Sequence, residues 1–311
     1  MRLRPGVPVL VRDQSTTQVG LAKPLVLRDL TEEQMAWLAS LEGVGTSPSS
    51  REVDAHRPLW NALDRHDLLD TDSTVRPDRV RIHGAGALAL MITRGLTRAG
   101  VHSLVMVDSA PSHVEPPGTY SPAATGMSCA AAAAWTLRDQ APQLRWGDAT
   151  GDVDLEIIVT VGSAPVAVTL PSMVEERPHL VVATDEAGAT VGPLVQPGET
   201  ACTRCVDMHH TDRDPGWPYL SLQCGPPRRP WVAPASMGLV AGLAVREVLA
   251  HMNGVAVPSR QWRVTDGGDL EQGLQSDPLR PHPQCGCGAA GPVGDEVAAR
   301  RAHFGVVRDQ Y

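Results

Sequence analysis

The sequence predicts an α/β protein built on a doubly wound, mostly parallel sheet, with a small winged-helix-like domain ahead of it. Between Arg79 and Ala183 strand-like apolar runs alternate with helix-like ones, the pattern of βαβ units. A glycine turn, Gly84-Ala85-Gly86, separates the first of those strands from the first of those helices. The residues before Asp70 follow another rhythm, short strands and then helices, which ends at the polar joint Asp70-Thr71-Asp72-Ser73-Thr74. The expected division is therefore 1–74, 75–288 and a charged, helix-like appendage, 289–311.

In the first domain Val7 to Val11, Thr17 to Leu21 and Pro24 to Leu27 read as strands. Thr31 and Gln34 have capping-box spacing, so a helix should run from there to about Leu41, with Met35, Leu38 and Leu41 on one face. A second helix is expected from Pro58 to Leu69. A small sheet followed by helices is the outline of a winged helix. The larger domain then reads as strand Arg79 to His83, helix Leu88 to Ala99, strand Ser103 to Val107 ending at Asp108, helix Ala123 to Leu137, and strands Leu155 to Val161 and Leu180 to Ala183. A proline-rich loop from Gly192-Pro193 to Pro197-Gly198, a long helix from about Pro234 to Met252 and a strand near Gln261 to Val264 complete the series.

Two cysteine pairs, Cys202-x-x-Cys205 and Cys285-x-Cys287, have the spacing of a closed tetrahedral site. Four thiolates fill every position that a structural Zn²⁺ prefers and leave none for water. Disulfides, a redox pair or separate core cysteines are the competing readings. The proline-rich loop ahead of Cys202 is a poor setting for the redox pair, and disulfides need an oxidising compartment. Cys129 and Cys224 read as small core residues.

The formal net charge of −8 argues against a general nucleic-acid-binding surface. Nothing near Met1 has the long apolar core of a signal peptide, and the apolar stretch Leu239 to Ala244 is too short to cross a bilayer. A cytoplasmic protein with no membrane partner is expected. Lys23 is the only lysine in the chain, so no mechanism that needs one can reside beyond the first domain.

Gly84-x-Gly86 occupies the place where backbone N–H groups at a helix start can hold phosphate. Asp108, at the end of the next strand, is placed to accept hydrogen bonds from ribose hydroxyls. Gly84, Gly86 and Asp108 are thus candidate nucleotide ligands; a tight turn and an ordinary helix cap would leave the same pattern. Together with Leu96-Thr97-Arg98-Ala99-Gly100-Val101, Leu104 to Asp108 and Val114-Glu115, this segment resembles the ThiF/MoeB/HesA superfamily, relatives of ubiquitin-activating enzymes. Gly198 to Cys205 and Cys285-Gly286-Cys287 resemble that family's structural zinc cysteines. The resemblance spans about Arg79 to Gly288 and implies a Rossmann-like fold, ATP and Mg²⁺ binding, adenylation of a carboxyl terminus and a homodimer.

The departures point the other way. The family continues after Val-Glu with an Asn, an Arg-Gln pair and Gly-x-x-Lys, whereas here Pro116 to Cys129 contains neither cation and Cys129 stands at the lysine's place. Gly162-Ser163-Ala164-Pro165 occupies the loop of the magnesium-binding Asp, with Asp152 and Asp154 at the strand's opposite end. Adenylyl transfer loses orders of magnitude without such charges. Arg81, Arg94 and Arg98 are the residues that could replace them. A degenerate ATP site is expected, leaving room for weak nucleotide binding and not for efficient adenylation; no catalytic residue is assigned.

The first domain resembles the PqqD-type peptide clamp, which captures a peptide as an added strand; Pro24 to Leu27 and the following helix would be involved. In such systems a ThiF-like protein presents a leader peptide to a YcaO-class cyclodehydratase. The implied role is a peptide-binding and docking component for a modifying enzyme, the alternative being an active adenylyltransferase acting on a peptide or protein carboxyl terminus. A Rossmann-type redox enzyme is a weaker third reading, opposed by the zinc cysteines. The run Asp207-Met208-His209-His210-Thr211-Asp212-Arg213-Asp214 offers two histidines and three carboxylates to a second metal site, but reads rather as a helix with a solvated face, since neighbouring histidines diverge on a helix. No Gly-x-Ser-x-Gly elbow supports a hydrolase.

Overall fold

The structure, a computed structural model, describes residues 1–42, 47–70, 79–142, 144–146, 151–225, 228–267 and 273–290. The chain divides into two compact units, 1–74 and 75–311. In the first, β1 (Arg2–Leu3) pairs antiparallel with β5 (Leu69–Asp70), and β2 (Val9–Val11), β3 (Thr17–Val19) and β4 (Leu25–Leu27) form an antiparallel sheet in the order β2-β3-β4. Three helices, α1 (Glu32–Ser40), α2 (Ser50–Ala55) and α3 (Arg57–Arg65), join these strands. The capping box at α1 is present, with the Thr31 hydroxyl accepting from Gln34 N–H and the Gln34 side chain accepting from Thr31 N–H. Leu38, Leu41 and Leu63 are at the centre of the core. The helix expected from Pro58 to Leu69 ends at Arg65, because Leu69 and Asp70 are drawn into pairing with Arg2 and Leu3. Two-residue strands have no periodicity to betray them.

The second unit runs β6 (Val80–His83), α4 (Ala87–Arg98), β7 (Leu104–Val107), α5 (Cys129–Leu137), β8 (Arg145–Trp146), β9 (Leu155–Val161), α6 (Val166–Val174), β10 (His179–Asp185), β11 (Gly188–Val195), α7 (Thr203–Arg213), α8 (Trp217–Ser221), α9 (Pro234–Met252), β12 (Arg260–Thr265) and β13 (Leu274–Pro278). All eight strands form one sheet, β13-β12-β11-β10-β9-β6-β7-β8. Its β10-β9-β6-β7-β8 part is parallel, as expected, while β11, β12 and β13 extend it antiparallel. The stretch read as a proline-rich loop begins inside β11. Pro193 lies where the register with β10 shifts between Leu180 and Val182, and a bulge tolerates a residue with no N–H to donate.

The helix expected from Ala123 starts at Cys129. Pro122–Ala124 is a separate 3₁₀ turn, Gly126 turns the chain at φ +84, and Ser128 caps α5 by accepting from Ala131 N–H. One face of the sheet packs against α4, α5 and α9 around Ile82, Ile92, Leu96, Ile157, Val182 and Ala244; the other is covered near Ile158 and Val181 by α6. By length and composition α9 could cross a membrane, but Val240, Ala244 and Val248 bury it against this core. From residue 71 the polar joint, and from 291 the appendage, lie outside the described residues.

The strand sequence reverses direction between β6 and β9, and a crevice opens beyond the carboxyl ends of the strands at such a switch point. Gly84 follows β6 there, and Gly162 follows β9.

Candidate functional site

Gly84 has φ +99, and a Cβ on it would lie 3.2 Å from Val159 O, so only glycine lets β6 turn this close to β9. Gly86 is the N-cap of α4, with no side chain capping it. Asp108 braces this turn: its Oδ2 accepts from Ala85 N–H at 3.1 Å and its Oδ1 from Ala110 N–H at 3.1 Å. The residues expected to cradle a nucleotide are thus brought together, around a cavity of about 640 Å³ walled by Leu88, Val107, Ile158, Val159 and Val168.

A residue that sequence reasoning missed crosses the mouth of this cavity. Arg229 donates from Nη2 to Asp108 Oδ2 at 2.7 Å, from Nη1 to Oδ1 at 3.3 Å, and from Nε to Glu115 Oε1 at 2.6 Å. The carboxylates are 7% and 2% exposed and the guanidinium 23%, so these are desolvated, charge-assisted bonds. Burial alone would lower the Arg229 pKa, but Asp108 and Glu115 outweigh it and hold it above its ordinary value. Nη2 also points to Cys129 Sγ at 3.6 Å. Cys129 is wholly buried, and burial is the main cause raising its thiol pKa. The signal for Arg229 was faint: Arg228 and Arg229 are the only charged residues between Pro215 and Val245.

None of the three arginines considered as replacement cations lines the cavity. Arg81 is 2% exposed and bonds Glu156 Oε1 at 2.5 Å, beneath α6. Arg94 and Arg98 are on α4, and Arg98 is exposed. Of the basic side chains lining the cavity, His83 bonds Glu156 at 3.2 Å and Arg229 is shared by two carboxylates, while the exposed Arg228 donates only to the backbone oxygen of Gln223.

A second cavity, of about 760 Å³, shares Arg228 and Arg229 as lining. Here Ser163 Oγ and Trp217 Nε1 both donate to Asp207 Oδ1 at 2.9 Å, and His210 stacks on Trp217 at 4.4 Å. Asp207 thereby brings a carboxylate to the loop after β9 that lacks one. Cys224 is not a core residue: it is half-buried, and its Sγ lies 2.5 Å from where a Cβ on Gly162 would be.

The four paired cysteines converge. Cys202 is the N-cap of α7, Cys205 is in its first turn, and Cys285 and Cys287 approach from the turn after His282. Their sulfurs are 3.8 Å (202 to 205), 3.7 Å (202 to 285) and 3.6 Å (205 to 287) apart. A tetrahedron with Zn–S bonds of about 2.3 Å has edges of about 3.8 Å, so this set fits a structural zinc ion. The nearby His209, Asp212 and His282 also cluster, but their protons are committed. Gln284 N–H donates to His282 Nδ1, which leaves the proton on Nε2 for Asp212 at 3.1 Å, and His209 Nε2 meets Arg280 O at 2.9 Å. His209 and His210 do diverge, one bonding Arg280 and the other stacking on Trp217.

No family model matches the chain, and no curated protein matches its sequence. Solved structures do. Escherichia coli MccB with succinimide superposes with a TM-score of 0.59 at 14% identity, covering 92% of this chain and 98% of that one. The microcin C7 biosynthetic enzyme MccB in complex with N-formylated MccA gives 0.60 at 12% identity, covering 92% and 99%. PaaA gives 0.56 at 14%, covering 88% and 98%. The chain has the MccB fold. That is the α/β fold the ThiF/MoeB resemblance implied, and at these identities the likeness speaks for the fold alone.

Proposed function

We propose that this chain is a ThiF-like, peptide-binding and docking component that serves a peptide-modifying enzyme of the YcaO cyclodehydratase type, with a degenerate ATP site. One observation carries the reading. Arg229, the guanidinium beside the glycine turn, is held by Asp108 and Glu115, so among the described residues that line the cavity only the exposed Arg228 is a guanidinium that no carboxylate holds. Phosphoryl and adenylyl transfer need such cations where charge develops. The peptide partner is supported by MccB, which has this fold and is solved with N-formylated MccA bound. The unit 1–74 would capture the peptide along β4 and α1 by strand addition. Cys202, Cys205, Cys285 and Cys287 would hold a structural zinc, and the chain would act in the cytosol as a homodimer.

A second reading, an active adenylyltransferase, is favoured by two placements. Arg229 lies beside Cys129, where the resemblance expects a lysine, and Asp207 lies beside Ser163, where it expects a carboxylate. MccB is also solved with ATP. Pyrophosphate exchange with Mg·ATP and candidate leader peptides decides between them. Docking predicts exchange at background while a labelled leader still binds; robust peptide-dependent exchange would defeat it.

A further inference from the structure

A cavity of this kind offers a nucleotide an acceptor for ribose hydroxyls, here Asp108, and backbone N–H groups at a helix start for phosphate, here at Gly86 and α4. The first is met, and the second approached, by the chain's own side chains. The Arg229 guanidinium donates to both oxygens of Asp108, as ribose hydroxyls would. The Glu115 carboxylate stands at the glycine turn: its Oε2 is 2.7 Å, and its Oε1 and Cδ each 3.0 Å, from where a Cβ on Gly86 would lie. Arg229 Nε ties the two together at 2.6 Å from Glu115. The geometry points to an internal surrogate ligand: at the wall of the nucleotide cavity Arg229 puts a donor on the ribose acceptor, its ion-pair partner Glu115 sets an anion beside the glycine turn, and together they shut ATP out.

This deepens the degenerate-site reading and rests on it. Two carboxylates and one guanidinium leave the cluster itself with one net negative charge, which disfavours an anion beside Gly86, while the exposed Arg228 lies on the cavity wall outside the cluster. The pair is also desolvated, with Glu115 2% exposed, so a nucleotide must break charge-assisted bonds to enter. Of the pair, Arg229 lines both cavities and Glu115 neither.

Calorimetric titration of Mg·ATP into the full wild-type chain and into the charge-balanced double variant Arg229→Met/Glu115→Gln tests it. The expected result is ATP binding in the variant tighter by about tenfold or more, the least that a freed charged acceptor is worth. Equal affinities, no binding to either, or binding that is lost in the variant each overturn it, the last by making Arg229 a phosphate ligand. If the variant does not fold, the wild type decides alone: saturation by ATP well below the millimolar range overturns the surrogate, and no saturation up to it sustains the surrogate. Leader-peptide binding, read by fluorescence anisotropy on both proteins, is expected to be unchanged. Its absence in the wild type removes the docking reading and leaves the surrogate standing.

Discussion

Glu156 carries the largest ionic load in the described fold, on β9 beneath α6. It accepts from Arg81 at 2.5 Å, Arg177 at 2.7 Å, Ser172 at 2.8 Å and His83 at 3.2 Å while 2% exposed. Burial pushes its pKa up, but hydrogen bonds from His83, Ser172 and Arg177, with the charge on His83, outweigh that and hold it at about 2 against an ordinary 4.5. A carboxylate lowered in this way contributes stability that is complete above its unfolded pKa and is lost as pH falls from about 4.5 toward 2, on the order of 3 kcal/mol in all. His179, wholly buried with its pKa lowered mainly by burial, acts in the same direction, its share declining below pH 6.5. Glu156→Gln should cost about 3–5 kcal/mol at pH 7, because Arg81 stays buried without its carboxylate while Arg177 keeps Glu175, and should flatten the acid limb of the stability curve. Urea unfolding between pH 3 and 8 would read both; a loss within about 0.5 kcal/mol, the scale of a surface change, would mean the cluster adds nothing. Arg81 was visible in the sequence only as a free cation, since its partner is 75 residues away on another strand.

At the scale of elements, helix boundaries with local signals were legible. Thr31 and Gln34 cap α1 as their spacing says, and the stretch from Leu88 to Ala99 is helical up to its C-cap, Ala99. What covers each helix was not legible. Gly95 on α4 meets α9: a Cβ there would lie 2.6 Å from Val245 Cγ2. Gly95→Ala should therefore destabilise, overpacking of about 1–3 kcal/mol exceeding the gain of about 1 kcal/mol in helix propensity, and Val245→Ala should recover most of the loss. A stabilised Gly95→Ala in urea unfolding would show that the helices have room. β11 failed for a different reason. Glycine and proline at 192–193 are loop residues by local preference, and only the pairing of the flanking Val191 and Leu194 with β10 carries them through the strand as a bulge.

For the whole molecule, the zinc cysteines join segments 82 and 83 residues apart, tying α7 to the turn after β13. Breaking a structural metal site removes folding energy directly. Elemental analysis should find about one zinc per chain. Cys202→Ser should release it and lower the Tm by roughly 10 °C or more, since several kcal/mol are lost at about 2–4 °C each. Metal-free wild-type protein with an unchanged melt would sink the assignment.

The sequence by itself determined what short-range chemistry dictates: the glycine turn after β6, the aspartate after β7, the capped helices, and two thiol pairs whose spacing admits one tetrahedral ion. Tertiary structure decided which charges meet at the cavity. Arg229 reaches Asp108 across 121 residues and Glu115 across 114, and Asp207 reaches Ser163 across 44. Those partnerships depend on the strand order reversing between β6 and β9, which brings distant loops to one crevice. No local pattern encodes which charge meets which there, and that choice decides whether Arg229 is left for a ligand or held by Asp108 and Glu115.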